Sequence, residues 1–137
     1  MALAWCFERN KPDEGLLADR VLEDLADSQT WVPVLWHTEI ANALLVGERR
    51  KVVTEAQVLD FLSRLYALPI DTDDVLVSRR CEFVMALGRE HQLTAYDATY
   101  LELALRRGAR LATFDAKLAG AMRRAGGLVV GDESARG

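Results

Sequence analysis

Three acidic residues stand where their chemistry is worth asking about. Glu39 lies in Trp36-His37-Thr38-Glu39-Ile40-Ala41-Asn42-Ala43-Leu44-Leu45, a stretch otherwise nearly free of charge. Asp97 lies in Leu93-Thr94-Ala95-Tyr96-Asp97-Ala98-Thr99-Tyr100-Leu101, and Asp115 follows the apolar run Leu111 to Phe114 directly. Each has a local explanation. A glutamate in the first turns of a helix favours the dipole. Asp97 stands three residues after Thr94, as in a capping box. Asp115 has the place of a helix N-cap, worth about 1 kcal/mol. Taken together they suggest something else. Carboxylates brought close raise one another's proton affinity unless a cation sits among them. Magnesium or manganese takes such oxygen ligands, keeps several waters, and can polarise a phosphodiester. The three acids are therefore candidates for both catalysis and metal binding.

The elements that must position them alternate in kind. Ala2 to Phe7 is apolar and gives way to a polar break at Glu8 to Gly15. Leu16, Leu17, Val21, Leu22 and Leu25 recur at helical spacing. Trp31 to Val34 reads as a short extended stretch, with Pro33 suited to open a helix over Leu35 to Val46. Thr54 and Gln57 form a capping-box pair ahead of a helix to about Leu65. Leu68 to Asp71 is a short strand, and Asp73 begins a helix as far as about Arg89. Thr94 starts another through Leu105. Arg110 to Phe114 is a strand, Asp115 caps a helix to about Ala125, and Leu128 to Val130 is a last strand. Helices alternating with short apolar strands predict an α/β fold, a short parallel sheet flanked by helices. In such a sheet ligands bind beyond the carboxyl ends of the strands, where Asp115 would sit.

Composition sets bounds. The 137 residues, half hydrophobic and 28% charged, suit one globular domain over residues 1–130 with a flexible tail, 131–137. No apolar run approaches the ~20 residues of a membrane span, and no leader is visible at the start. Cys6 and Cys81 lie far apart in apolar surroundings and read as buried thiols of a reducing cytoplasm. His37 and His91 are too scattered for a zinc site. The net charge of −4 excludes a generic nucleic-acid coat but not a nuclease, whose metal can bridge carboxylates to phosphate. The cations Arg49-Arg50-Lys51, Arg79-Arg80, Arg106-Arg107 and Arg123-Arg124 read first as helix-terminus charges and second as an RNA path. Trp5, Trp31, Trp36 and Phe61 read as core or interface anchors.

The segments Ala2 to Trp5, Val32 to Leu45, Leu93 to Ala98 with Tyr100, and Leu111 to Asp115 resemble, in this order, the PIN-domain nucleases, VapC-type toxins above all. The resemblance implies a PIN-like three-layer fold and a magnesium- or manganese-dependent endoribonuclease, the toxin of a toxin–antitoxin pair, cleaving RNA and silenced by a cognate antitoxin. Glu39, Asp97 and Asp115 would carry over as metal-site acids. Thr113 would support them, and Asn42, one turn after Glu39, would do likewise or make a helix-facing hydrogen bond. The helices over 16–25 and 54–65 are apolar enough for a homodimer or an antitoxin groove.

One departure stands out. Family members begin with a hydrophobic strand ending in Asp, and this chain starts just past that place. The favoured expectation is a chain short at its N-terminus, with an active native product carrying a fourth acid. The rival is a sheet lacking its central strand, with unpaired neighbouring edges and a crippled site. In that case the protein would be a catalytically impaired module binding nucleic acid or an antitoxin. A third reading has the acids as helix caps that never meet.

Overall fold

The computed structural model describes residues 1–4 and 29–132. Trp5, Cys6, the polar break and the helix expected over 16–25 lie outside the described residues, as does the tail from 133 onward. The described elements are β1 (Ala2–Leu3), β2 (Thr30–Val32), α1 (Val34–Arg49), α2 (Glu55–Leu65), β3 (Ile70–Thr72), α3 (Val77–His91), α4 (Ala95–Arg107), β4 (Leu111–Ala112) and α5 (Ala116–Arg124). The fold is α/β, a small parallel sheet flanked by helices.

The strands run in the order β3-β2-β1-β4, all parallel. Val129 adds a parallel bridge to Leu111, in place of the full strand expected over Leu128 to Val130. The sheet does not lack a central strand: Ala2–Leu3 fills the centre. The Ala2 N–H donates to the Arg110 carbonyl (2.7 Å) and the Ala4 N–H to that of Ala112 (2.9 Å). On the other side the Trp31 N–H donates to the Met1 carbonyl (2.8 Å).

Successive residues of a strand face opposite sides of the sheet. Trp31 and Asp71 are register partners on one face, and Thr72 therefore faces the other. The α1 residue His37 bonds Thr72, while Arg107 of α4 stacks on Trp31. Hence α1 and α4 cover opposite faces, and α3 packs on α4 as an outer helix. Trp36, Ile40 and Leu44 of α1 join Val32 in the core; Leu101, Leu103 and Ala104 of α4 join Ala2 and Leu111. The apolar side chains concentrate on β1, β2 and β4, whereas Asp71 and Thr72 of β3 are exposed at the edge of the sheet.

Local chemistry sets most element boundaries. The Thr54 hydroxyl accepts from the Gln57 N–H (3.1 Å) and the Gln57 side chain accepts from the Thr54 N–H (2.9 Å), a complete capping box. Gly108 ends α4 in the left-handed region (φ +62°), where an L side chain would be strained. Two boundaries depart from expectation. Helix α3 starts at Val77, not Asp73, because the Asp73 N–H continues the ladder by donating to the Val32 carbonyl (2.7 Å). Strand β4 stops at Ala112, since Thr113 turns the chain toward α5 and Phe114 is exposed. Cys81 is exposed on α3, contrary to the buried thiol expected. Its immediate neighbours Arg80 and Glu82 are charged, and the buried face of α3 is taken by Val84 instead.

Candidate acidic site at the carboxyl edge of the sheet

A short apolar strand, β4, delivers the chain to Thr113 and Asp115. The Thr113 hydroxyl accepts from the Asp115 N–H (3.0 Å) and fixes the turn. Asp115 is the N-cap of α5, and its Oδ1 accepts from the N–H groups of Lys117 (2.8 Å) and Leu118 (3.3 Å). The cap role is thus real, and both bonds fall on one oxygen. The carboxylate stays exposed above the end of β4.

Helix α4 leads from its C-terminus into β4, so it runs antiparallel to the strands and its N-terminus reaches the carboxyl edge. Thirteen residues span about 20 Å, against about 10 Å for a three-residue strand. Asp97 sits in that first turn, half-buried, and its N–H donates to the capping Thr94 hydroxyl (3.2 Å). On α1 the buried stripe is Trp36, Ile40, Leu44 and Gly47. His37 flanks it on the β3 side, bonded to Thr72 through Nε2 and to Tyr66 Oη through Nδ1, both at 2.8 Å. Glu39 is two residues on, about 160° around the opposite flank. It therefore leans toward β1 and β4, half-buried, with Oε1 inaccessible to solvent. Asn42 is on the exposed face of α1, about 60° from Glu39.

Asp97 and Asp115 therefore stand at the carboxyl edge, in the first turn of α4 and just past the end of β4, while Glu39 lies in the second turn of α1 on the other face of the sheet from Asp97. Among the described residues no group of three or more His, Cys, Asp or Glu side chains is gathered closely enough to hold a metal ion. The donor chemistry suits magnesium; the spacing is not a closed cage.

A second charged cluster escaped sequence reasoning. Asp73 and Glu102 are both buried, at 4% and 5% exposure. Asp73 receives Arg106 Nη2 (2.6 Å) and Nη1 (3.2 Å), and Arg107 Nη2 (2.7 Å) and Nε (3.0 Å). Glu102 Oε1 receives Arg80 Nε (2.7 Å) and Arg106 Nε (2.8 Å). Burial alone would push the Asp73 carboxyl up, but the two guanidinium bonds and charges overcome it and hold the group below its ordinary range. Arg106 is raised further, chiefly by its bond to Asp73. The Arg107 guanidinium lies 3.5 Å from the Trp31 ring centroid and that of Arg80 lies 4.0 Å from Phe83. Three cations that the sequence offered to an RNA path are thereby engaged inside the fold. Arg123 is likewise bound to Asp132, at 2.8 and 2.9 Å. The exposed cluster Arg49, Arg50 and Lys51 remains on the surface.

No helix among the described residues is long and apolar enough to cross a membrane. No protein-family model matches the chain, and no curated protein matches it. Among solved structures the chain is similar to one titled "Crystal structure of PAE2754 from Pyrobaculum aerophilum". The two are 24% identical, with a TM-score of 0.65 over 98% of this chain and 87% of that one. At that identity the likeness concerns the fold.

Proposed function

We propose that this chain is a magnesium- or manganese-dependent endoribonuclease of the VapC-type toxin class, with Glu39, Asp97 and Asp115 as its acidic site. What supports it most is the topology, with Asp115 just past the end of β4 and Asp97 in the first turn of α4, both at the carboxyl edge, and Glu39 in the second turn of α1. Thr113 holds the turn that presents Asp115. A metal ion there would supply charge neutralisation for the phosphodiester. Because the acids do not form a closed cage, the ion is expected to bind weakly until RNA contributes its phosphate oxygens. A cognate antitoxin covering the same edge would silence it.

The test is cleavage of a mixed-sequence RNA by the purified chain with and without magnesium, beside Asp97→Asn and Glu39→Gln variants. Metal-dependent cleavage lost in both variants supports the assignment. No cleavage under any condition overturns it. RNA binding without cleavage, unchanged by the substitutions, favours the second reading of a nucleic-acid or antitoxin binding module. The engaged state of Arg80, Arg106 and Arg107 gives that second reading fewer cations to work with.

A further inference from the structure

Four aromatic side chains are exposed among the described residues: Tyr66, Phe83, Tyr96 and Phe114. Two of them are covered by a neighbour. Tyr66 stacks on His37, and the Arg80 guanidinium lies over the Phe83 ring. Tyr96 and Phe114 have no ring or cation against them among the described residues, and they are 64% and 46% exposed. Their places in the chain match. Tyr96 directly precedes Asp97 in the first turn of α4, and Phe114 directly precedes Asp115, the N-cap of α5. Both helices run back from the carboxyl edge and pack on each other. Packed helices lie about 8–10 Å apart, so the edge carries two aromatic–acid pairs side by side.

Cations are scarce at that edge. No Lys or Arg occurs from Glu90 to Leu105 or from Leu111 to Ala116, and the next cation, Lys117, is exposed in the first turn of α5. Arg80, Arg106 and Arg107 are committed to Glu102 and Asp73.

We propose that Tyr96 and Phe114 hold RNA by its bases, each stacking one nucleobase of a single strand on either side of the phosphate that lies over Asp97 and Asp115. The proposal rests on the nuclease reading of this edge and adds how the substrate is gripped there. Every nucleobase offers a π-face to an aromatic ring, so the grip tolerates sequence. It needs bases that can be splayed out, which a duplex does not offer. Stacking also stands in for phosphate contacts that this edge is poor in. A protein held to RNA by lysines and arginines releases counterions and weakens steeply with salt. A chain of net charge −4 that binds through bases does not.

The probe is a fluorescein-labelled, mixed-sequence RNA of about ten nucleotides, within the span of one single-strand binding site. Binding is read by anisotropy in calcium, and cleavage on gels in magnesium. Tyr96→Leu and Phe114→Leu keep an apolar side chain and remove the ring. Each should weaken binding about tenfold, whereas Tyr96→Phe and Phe114→Tyr should bind like wild type. Annealing a complementary strand should weaken binding by about tenfold or more. Log affinity against log salt should fall with a slope shallower than about −1.4, the release expected from two phosphate contacts. No binding by wild type, unchanged binding by both leucine variants, a duplex bound as well as the single strand, or a steeper slope overturns the proposal. Cleavage by wild type beside unchanged binding in the leucine variants sinks the stacking proposal alone. Binding that is lost in those variants, with no cleavage by any form, sinks the nuclease reading alone. Should a leucine variant melt early, the duplex comparison and the salt slope decide.

Discussion

Replacing Asp73 with Asn tests the account of the buried charge cluster. The change is nearly isosteric, so it removes charge without opening a cavity. Two guanidinium groups, four N–H bonds in all, then face one amide oxygen and an NH2 that cannot accept. Removing one partner from a buried ionic network costs about 3–5 kcal/mol. Arg106 keeps Glu102 and Arg107 keeps the Trp31 face, so the low end, about 3 kcal/mol, is the expectation at pH 7. For a chain of this size that is a fall in Tm of about 10 °C. The pH dependence has a fixed sign. The folded-state carboxyl titrates below its unfolded value, so the network's contribution is complete above about pH 4. It is lost as pH falls through the folded pKa. Thermal melts of wild type and Asp73→Asn should therefore differ by a constant amount from pH 8 to about 5, and the difference should shrink as pH falls below about 4. A difference under 2 °C at pH 7, or one that does not shrink in acid, would refute the reasoning.

Three further outcomes follow from other sites. Asp115→Asn should keep the α5 cap and lose metal-dependent cleavage, whereas Asp115→Ala should also cost about 1 kcal/mol in denaturant midpoint analysis. If Asp115→Asn cleaves RNA like wild type, Asp115 is a cap alone. Burial lowers the pKa of His37. The unfolded chain therefore takes up a proton first on acidification, and stability should decline as pH drops below about 6.5. His37→Gln should flatten that decline in urea titrations between pH 7.5 and 5.5. Cys81, exposed on α3, should react with a thiol-specific reagent in the native protein without denaturant.

The sequence made some elements readable because the signal and its cause lie within a few residues. Thr54 with Gln57 announces α2, and Asp115 announces α5, since caps are local hydrogen bonds. Glu39, Asp97 and Asp115 stood out for the same reason, as charges within apolar periodicity. The Asp73 cluster was not legible. A run of acids before an apolar helix looks like an N-terminus, and paired arginines at a helix end look like dipole partners. Only the tertiary fold brings Asp73 to Arg106 and Arg107. Cys81 misled because it was counted on the apolar face of its helix with Val84 and Met85, whereas the buried residues of that helix are Val84 and His91. The uncharged face of α1 was visible as a charge-poor segment. Which side of that helix the core would take was decided by Trp36, Ile40 and Leu44, and only then did Val34 and Leu45 emerge as surface.

The place of Ala2–Leu3 at the middle of the sheet sets a timetable for folding. Ala2 pairs with Trp31 on one side and with Leu111 on the other. The second partnership closes a loop of most of the chain, a slow step by comparison with helix formation. During synthesis β1 is made before β4 and must wait for it, its edge open in the meantime. The helices can form as they emerge. The acidic edge cannot, because Asp115 reaches its place only when the last strand docks beside the first.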